Sequence, residues 1–337
     1  MGRSPSRARP GTRLRTGRQH RQPESLGLLC AALRTPVNFS LPFTKGNGAG
    51  NDFLVLHDPF NQHPLTPTVV THLCDRRTGL GSDGLLRAVR CENLAEGRSY
   101  VGHAEWFMDY RNADGSLGQM CGNGIRVLAR HLTHHGHTAP GRVTLATRAG
   151  PRSVAVPDTS HTGPVAVKLP RPQTEATATA LTVTSEGRSW PAQYVDVGNP
   201  HAVVFVDNPA DAGTLTRPPQ VAPPPAHGIT VEFVQIIRPG HLMLRVHERG
   251  VGETPSCGTG ACAAATAAEL TGASAPDGRY RVDSPGGTLH VAVARDGSGT
   301  MTLTGPTALT LTGLLTPPRP ETGTGPITSC WTPPATG

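Results

Sequence analysis

From Phe43 onward the chain alternates short apolar runs with polar, glycine-rich turns, at the spacing of strands. Phe43–Lys45 and Phe53–His57 read as strand pieces around the turn Gly46-Asn47-Gly48-Ala49-Gly50-Asn51-Asp52. Leu85–Val89 and Ala104–Tyr110 follow as strands, the second feeding a turn at Arg111-Asn112-Ala113-Asp114-Gly115. A long strand series comes next: Val143–Thr147, Ser153–Val156, Val165–Leu169, Tyr194–Val197, Ala202–Val206, Thr230–Ile237 and His241–His247. Tyr280–Asp283, Thr288–Ala294 and Met301–Thr304 end it. Helical periodicity interrupts in few places. Val69–Arg76 predicts a short helix, and Ile125, Val127, Leu128 and Leu132 predict a longer one after Cys121, stopped by Gly136. An alanine-rich helix runs from Gly258 to about Leu270 and is closed by Gly272. The order is strand-rich with two main helices, an α+β pattern and not the regular alternation of a doubly wound sheet.

The two main helices open alike. Cys121-Gly122-Asn123-Gly124 and Cys257-Gly258-Thr259-Gly260 begin 136 positions apart. Each is preceded by strands and, earlier, by a glycine-asparagine turn, Gly50-Asn51 and Gly198-Asn199. The repetition predicts two related halves joined at Pro170-Arg171-Pro172. We expect a first half of 41–170 plus 306–316 carrying Cys121, and a second of 171–305 carrying Cys257.

Charge changes this picture little. The chain of 337 residues has a formal charge of +7, but residues 1–40 hold eight arginines and one glutamate, which accounts for all of it. The remaining 23 basic and 23 acidic residues cancel, so the body offers no net field to nucleic acid. The basic segment is compatible with a transit peptide, with a very short signal peptide ending in Leu26–Leu33, or with a disordered extension or upstream start. The short apolar stretch and the lack of a cleavage site favour the extension. Residues 317–337, rich in Pro, Thr and Gly, read as a disordered tail without a role for Cys330 or Trp331. Seven cysteines without a CxxC pair argue against a disulfide framework and suit a reducing, cytoplasmic compartment. No apolar run approaches the roughly 20 residues of a membrane span.

The chemistry lies in the Cys-Gly-x-Gly elements. Glycines let a ligand approach the peptide N–H groups, which are unpaired at a helix start and carry the positive end of the dipole. A carboxylate can sit there. The same field is expected to draw a thiol below its free pKa of about 8.5. Two such helices meeting end to end would hold one carboxylate with a thiol on either side of its α-carbon. One sulfur would then abstract the α-proton and the other return it, with the developing enediolate charge held by the N–H groups. Cys74, Cys91 and Cys262 lack this context and read as inert thiols.

The motifs Gly50-Asn51-Asp52-Phe53, Asn112-Ala113-Asp114-Gly115-Ser116, Gly198-Asn199-Pro200-His201 and Glu248-Arg249-Gly250-Val251-Gly252-Glu253-Thr254 stand in order with the two cysteine elements. From about Phe43 to Leu309 the chain resembles the diaminopimelate epimerases, cofactor-independent isomerases that interconvert LL- and meso-diaminopimelate on the route to lysine and peptidoglycan. The resemblance implies two pseudo-symmetric α/β halves, each a barrel-like, mostly antiparallel sheet around a central helix. It implies a last strand near Pro306–Leu311 that returns to the first half. It assigns acid/base catalysis to Cys121 and Cys257, and tuning of the thiols to His201 and Glu248. Substrate contacts fall on Asn51, Asn112, Gly122, Asn123, Asn199, Glu248, Arg249, Gly258 and Thr259. Two positions depart from the family pattern. Gly84 stands where glutamine is frequent, and Thr230 where an asparagine reads the distal end of the substrate; a hydroxyl donates one hydrogen where an amide offers two.

The resemblance implies a small amino-acid substrate, no cofactor or metal, no nucleic-acid or membrane partner, and is compatible with a homodimer. The competing reading on the same fold is a racemase or epimerase of another amino acid. A pyridoxal-phosphate racemase needs a Schiff-base lysine, and neither Lys45 nor Lys168 has a recognisable cofactor context. A metal-binding module would rest on His131-Leu132-Thr133-His134-His135-Gly136-His137, and a nucleic-acid binder on the basic segment alone.

Overall fold

The structure, a computed structural model, describes residues 41–172, 181–226 and 228–315. The expectations for 1–40 and 317–337, with Cys30, Cys330 and Trp331, lie outside the described residues.

Seven strands pair in succession: β1 (Leu41–Gly48), β2 (Asn51–His57), β3 (Gly84–Arg90), β4 (Trp106–Asn112), β5 (Gly141–Ala146), β6 (Arg152–Val156) and β7 (Thr162–Pro170). Their directions run antiparallel, parallel, antiparallel, parallel, antiparallel, antiparallel. The last described strand, β17 (Thr300–Leu315), lies antiparallel between β7 and β1 and closes an eight-stranded barrel. The second half repeats the series with β9 (Arg188–Asp196), β10 (Pro200–Phe205), β12 (Thr230–Arg238), β13 (His241–Glu248), β15 (Arg279–Ser284), β16 (Gly287–Val293) and β17. The directions recur in the same order. Short strands decorate it: β8 (Leu181–Ser185) beside β9, β11 (Gln220–Ala222) beside β8, and β14 (Gly252–Thr254) folded back on β13. The architecture is α+β with two pseudo-symmetric halves.

Helix α1 (Pro67–Cys74) is peripheral and two turns long. Helices α2 (Gly122–His134) and α3 (Gly258–Leu270) occupy the same place in the two series, between the fourth and fifth strands. Both are buried along nearly their whole length. In α3, Ala263, Ala264, Ala265, Ala267 and Ala268 pack into one core with Val203, Leu244, Val282 and Val291 of the surrounding strands. Alanine suits a helix enclosed on all sides, because it fills little volume and loses no side-chain entropy.

Two stretches differ from their sequence reading. Gly46 and Gly48 belong to β1, and only Ala49-Gly50 turns. A Cβ at Gly46 would stand 2.5 Å from Val127 Cγ1, and one at Gly48 3.1 Å from Asn123 O. These glycines admit α2 to the strand and do not bend it. Met301–Thr304 and Pro306–Leu311 are one strand. Residues 301–304 pair with β16 and 308–315 with β1, so Pro306 sits where one neighbour has ended and the next has not begun. Its missing N–H removes no ladder bond on that side.

Candidate active site

The chain reaches both main helices from extended backbone. Cys121 is the N-cap of α2 (φ −134°, ψ 123°) and Cys257 the N-cap of α3 (φ −123°, ψ 117°). The N–H groups of Gly124 and Gly260 donate to the respective Sγ atoms, each at 3.3 Å. Sulfur is a weak acceptor and a poor cap, so thiols at both caps are not explained by helix stability. The helix starts meet. A Cβ at Gly122 would lie 3.6 Å from Gly258 Cα, and one at Gly258 3.2 Å from Asn123 Oδ1. Asn123 Nδ2 donates to Asn51 Oδ1 (2.7 Å) within the first half and, across this junction, to the carbonyl of Ser256 (3.4 Å), the residue before the second cysteine.

The thiols are not poised as the helix field alone suggests. Burial pushes Cys121 up to about 11, against the N–H groups of Gly124 and Asn123, with the Glu248 carboxylate adding to the rise. Burial, Glu248 and Glu232 push Cys257 well above its ordinary value, although Thr259 Oγ1 lies 3.4 Å from its sulfur. Desolvation of a compact thiolate outweighs two or three N–H dipoles here, so the resting site holds two neutral thiols. Burial also raises Glu248, whose Oε1 accepts from Thr254 Oγ1.

His201 and Glu232 are both 0% exposed and form a pair, Nδ1 to Oε1 at 2.6 Å. His201 Nε2, Glu232 Oε2 and the Ser256 hydroxyl are buried without a hydrogen-bond partner among the described residues. Tyr110, whose phenol is raised well above its ordinary value by burial, also feels Cys121, Glu248, Asp83 and Cys257. Asp83 accepts from Asn51 Nδ2 (3.2 Å) and from Arg76 (2.7 Å). Glu232, Tyr110, Asp83 and Ser256 were not read as site residues from the sequence. Glu232 had the only available signal, a carboxylate inside an apolar strand run.

The remaining candidates stand at the ends of strands. Asn51 and Asn199 follow corresponding turns, after Gly50 (φ +88°) and Gly198 (φ +94°). Asn112 ends β4, its side chain donating to Ser116 Oγ (2.9 Å), and Glu248 ends β13. Arg249 is exposed and its backbone N–H donates to Thr230 Oγ1 at 3.3 Å. Gly84 and Thr230, the two departures, occupy equivalent places: each opens the third strand of its half, in register with Phe53 and His201. The histidine-dense run lies at the other end of α2, with ring centroids 3.9 Å apart for His57 and His137 and 4.6 Å for His131 and His135. Among the described residues no group of three His, Cys, Asp or Glu side chains is placed to hold a metal ion. Among them, too, no helix is long and apolar enough to cross a membrane.

Two barrel-like halves, each bringing a helix start to one junction, make up a fold that solved structures share. A hydroxyproline epimerase from Agrobacterium vitis superposes with a TM-score of 0.57 at 14% identity, covering 82% of this chain and 91% of that one. In sequence, the model of the diaminopimelate epimerase family matches residues 43–174 and 193–310. Diaminopimelate epimerases of Streptomyces coelicolor and Mycolicibacterium gilvum are 46% and 42% identical, covering 81% and 82% of this chain and 94% and 97% of theirs. The chain belongs to the diaminopimelate epimerase family.

Proposed function

We infer that this protein is a diaminopimelate epimerase, an isomerase that inverts one α-carbon of LL-diaminopimelate to give the meso form. The observation that carries the reading is the meeting of two helix starts, each capped by a cysteine. The substrate α-carboxylate lies across the N–H groups of Gly122-Asn123 and Gly258-Thr259, where helix dipoles favour an anion. Cys121 and Cys257 then face the α-carbon from opposite sides. One sulfur, as thiolate, takes the α-proton; the electron pair of the C–H bond passes into the carboxylate as an enediolate. The other thiol gives its proton to the opposite face, and the two sulfurs exchange protonation states. No oxidant or acceptor is required.

Because both resting thiols are neutral, ionisation must accompany binding. The substrate α-ammonium supplies a cation beside the sulfurs, and His201, held by Glu232, presents an unpartnered ring nitrogen for the released proton. Burial raises Glu248 and so favours its neutral form, which opposes thiolate formation less than its carboxylate does. Asn51, Asn112, Asn199, Thr230 and Arg249 complete the contacts, Arg249 through a guanidinium suited to a distal carboxylate. Thr230 replaces an amide at that end, and its oxygen already accepts from the Arg249 amide.

The division into 41–170 plus 306–316 and 171–305 is proposed on the repeated strand directions. A cytoplasmic site of action is proposed on the cysteine content, with the five described cysteines unpaired. A homodimer is compatible with the reading.

The test is conversion of LL-diaminopimelate beside L-proline, L-lysine and L-glutamate, followed by chiral chromatography. Formation of the meso compound alone is expected. Inversion of another amino acid in its place would move the protein to a different epimerase on this fold.

A further inference from the structure

One buried cation beside the junction has no part in the scheme above. Arg126, one turn into α2, is 0% exposed. Its Nε donates to Gly122 O (3.0 Å), Nη1 to Pro306 O (3.1 Å) and Nη2 to Asn123 Oδ1. No carboxylate pairs with it among the described residues. Space for it is built into β17: a side chain at Gly305 would collide with the guanidinium. Burial draws its pKa down to about 10, which leaves it charged at neutral pH.

A guanidinium only donates, so the Asn123 atom facing it must be oxygen. Ser256 O only accepts, so the other Asn123 atom must be nitrogen, as found. That nitrogen donates to Asn51 Oδ1 and commits the Asn51 amide to face it with oxygen. The Asp83 carboxylate, which also only accepts, takes one hydrogen of Asn51 Nδ2. A cation at one end and an anion at the other thus polarise two amides in one sense, and flipping either would set two acceptors or two donors against each other. The second hydrogen of Asn51 Nδ2 is uncommitted among the described residues.

We propose that Arg126 is a positioning residue that fixes the orientation of the Asn123 and Asn51 amides, so that Asn51 offers the substrate an N–H and not a carbonyl. The proposal rests on the reading of Asn51 as a substrate contact. Wild-type turnover is therefore measured first, and its absence would count against that reading and not against Arg126. The experiment compares R126M, R126K, N123D and the double variant R126M/N123D by steady-state kinetics on LL-diaminopimelate, with circular dichroism to check folding. R126M raises KM about tenfold or more, because the Asn123 oxygen loses its donor and the Asn51 amide is then oriented only by Asp83 and a weakened Asn123, while kcat changes less than KM. R126K still donates to Asn123 and restores KM to within about threefold of wild type. N123D keeps a partner for the guanidinium but removes the N–H that holds Asn51, and raises KM like R126M. The double variant is no worse than the worse single, as expected of one chain. A folded R126M with native KM, an R126K no better than R126M, or losses that multiply in the double variant would each overturn the proposal. Should R126M not fold, R126K decides, and a folded R126K whose KM is raised as far as that of N123D overturns it.

Discussion

The meeting of the helix starts makes Gly258 the most demanding position in the site. In Gly258→Ala the new methyl group would stand 3.0 Å from Leu303 Cδ2, 3.2 Å from Asn123 Oδ1 and 3.4 Å from Asn123 N. Leu303 belongs to the core and Asn123 is held by Arg126 and Asn51, so neither gives way freely. In an open helix the exchange stabilises by up to about 1 kcal/mol, through lower unfolded-state entropy. Overpacking of this kind costs about 1–3 kcal/mol, which wins. The expected net loss is about 1 kcal/mol, or about 2–4 °C in Tm for a body of this size. Activity should suffer more than stability. Separation of the two helix starts by a few tenths of an ångström misplaces both thiols, and catalysis is expected to fall about 10- to 100-fold, given that a 1 Å error costs about 100-fold. Differential scanning calorimetry and LL-diaminopimelate turnover measure the two effects. A variant with raised Tm and undiminished turnover would refute the close approach of the helices.

Other consequences follow from the same geometry. Cys121→Ala and Cys257→Ala should each lower epimerisation by at least about 1000-fold, measured by chiral chromatography, with circular dichroism unchanged; substantial turnover in either removes that thiol from the scheme. Inactivation by iodoacetamide should accelerate about tenfold per pH unit from neutrality, because Cys121 sits near 11 and only thiolate reacts; a flat profile would contradict neutral resting thiols. Burial and neighbouring histidines lower His57 to about 4 and hold His131 well below its usual value. Between pH 6.5 and 4 the unfolded chain therefore binds more protons than the folded one, and stability is lost as pH falls through that window. Tm scans should show this fall, and His131→Leu should flatten it; an identical slope in the variant would exclude His131 as its source.

What the sequence made legible was local. Cys-Gly-x-Gly is a helix start on its own terms, and Gly50-Asn51 and Gly198-Asn199 are turns whatever surrounds them. The repeat of these elements was enough to predict two related halves. Features that depend on distant partners were hidden. Gly46 and Gly48 looked like a turn because nothing nearby shows that Val127 and Asn123 would press on them. β17 looked like two strands because Pro306 breaks a run whose neighbours change at that point. Glu232 gained its chemistry from His201, brought beside it by the parallel pairing of β10 and β12. The thiols show the limit most plainly. The dipole that favours ionisation is written in the helix start, but the burial that opposes it, and the Glu248 and Glu232 carboxylates that add to it, come only with the fold.

The most direct test is the first turnover of LL-diaminopimelate in D2O, with product and recovered substrate separated and analysed by mass spectrometry. Two sulfurs acting from opposite faces predict α-deuterium in the meso product and almost none in the recovered substrate, since the incoming hydron comes from the thiol that did not take the proton. Deuterium appearing equally in both would indicate a single base that washes its proton out before returning it, and would contradict the two-thiol account.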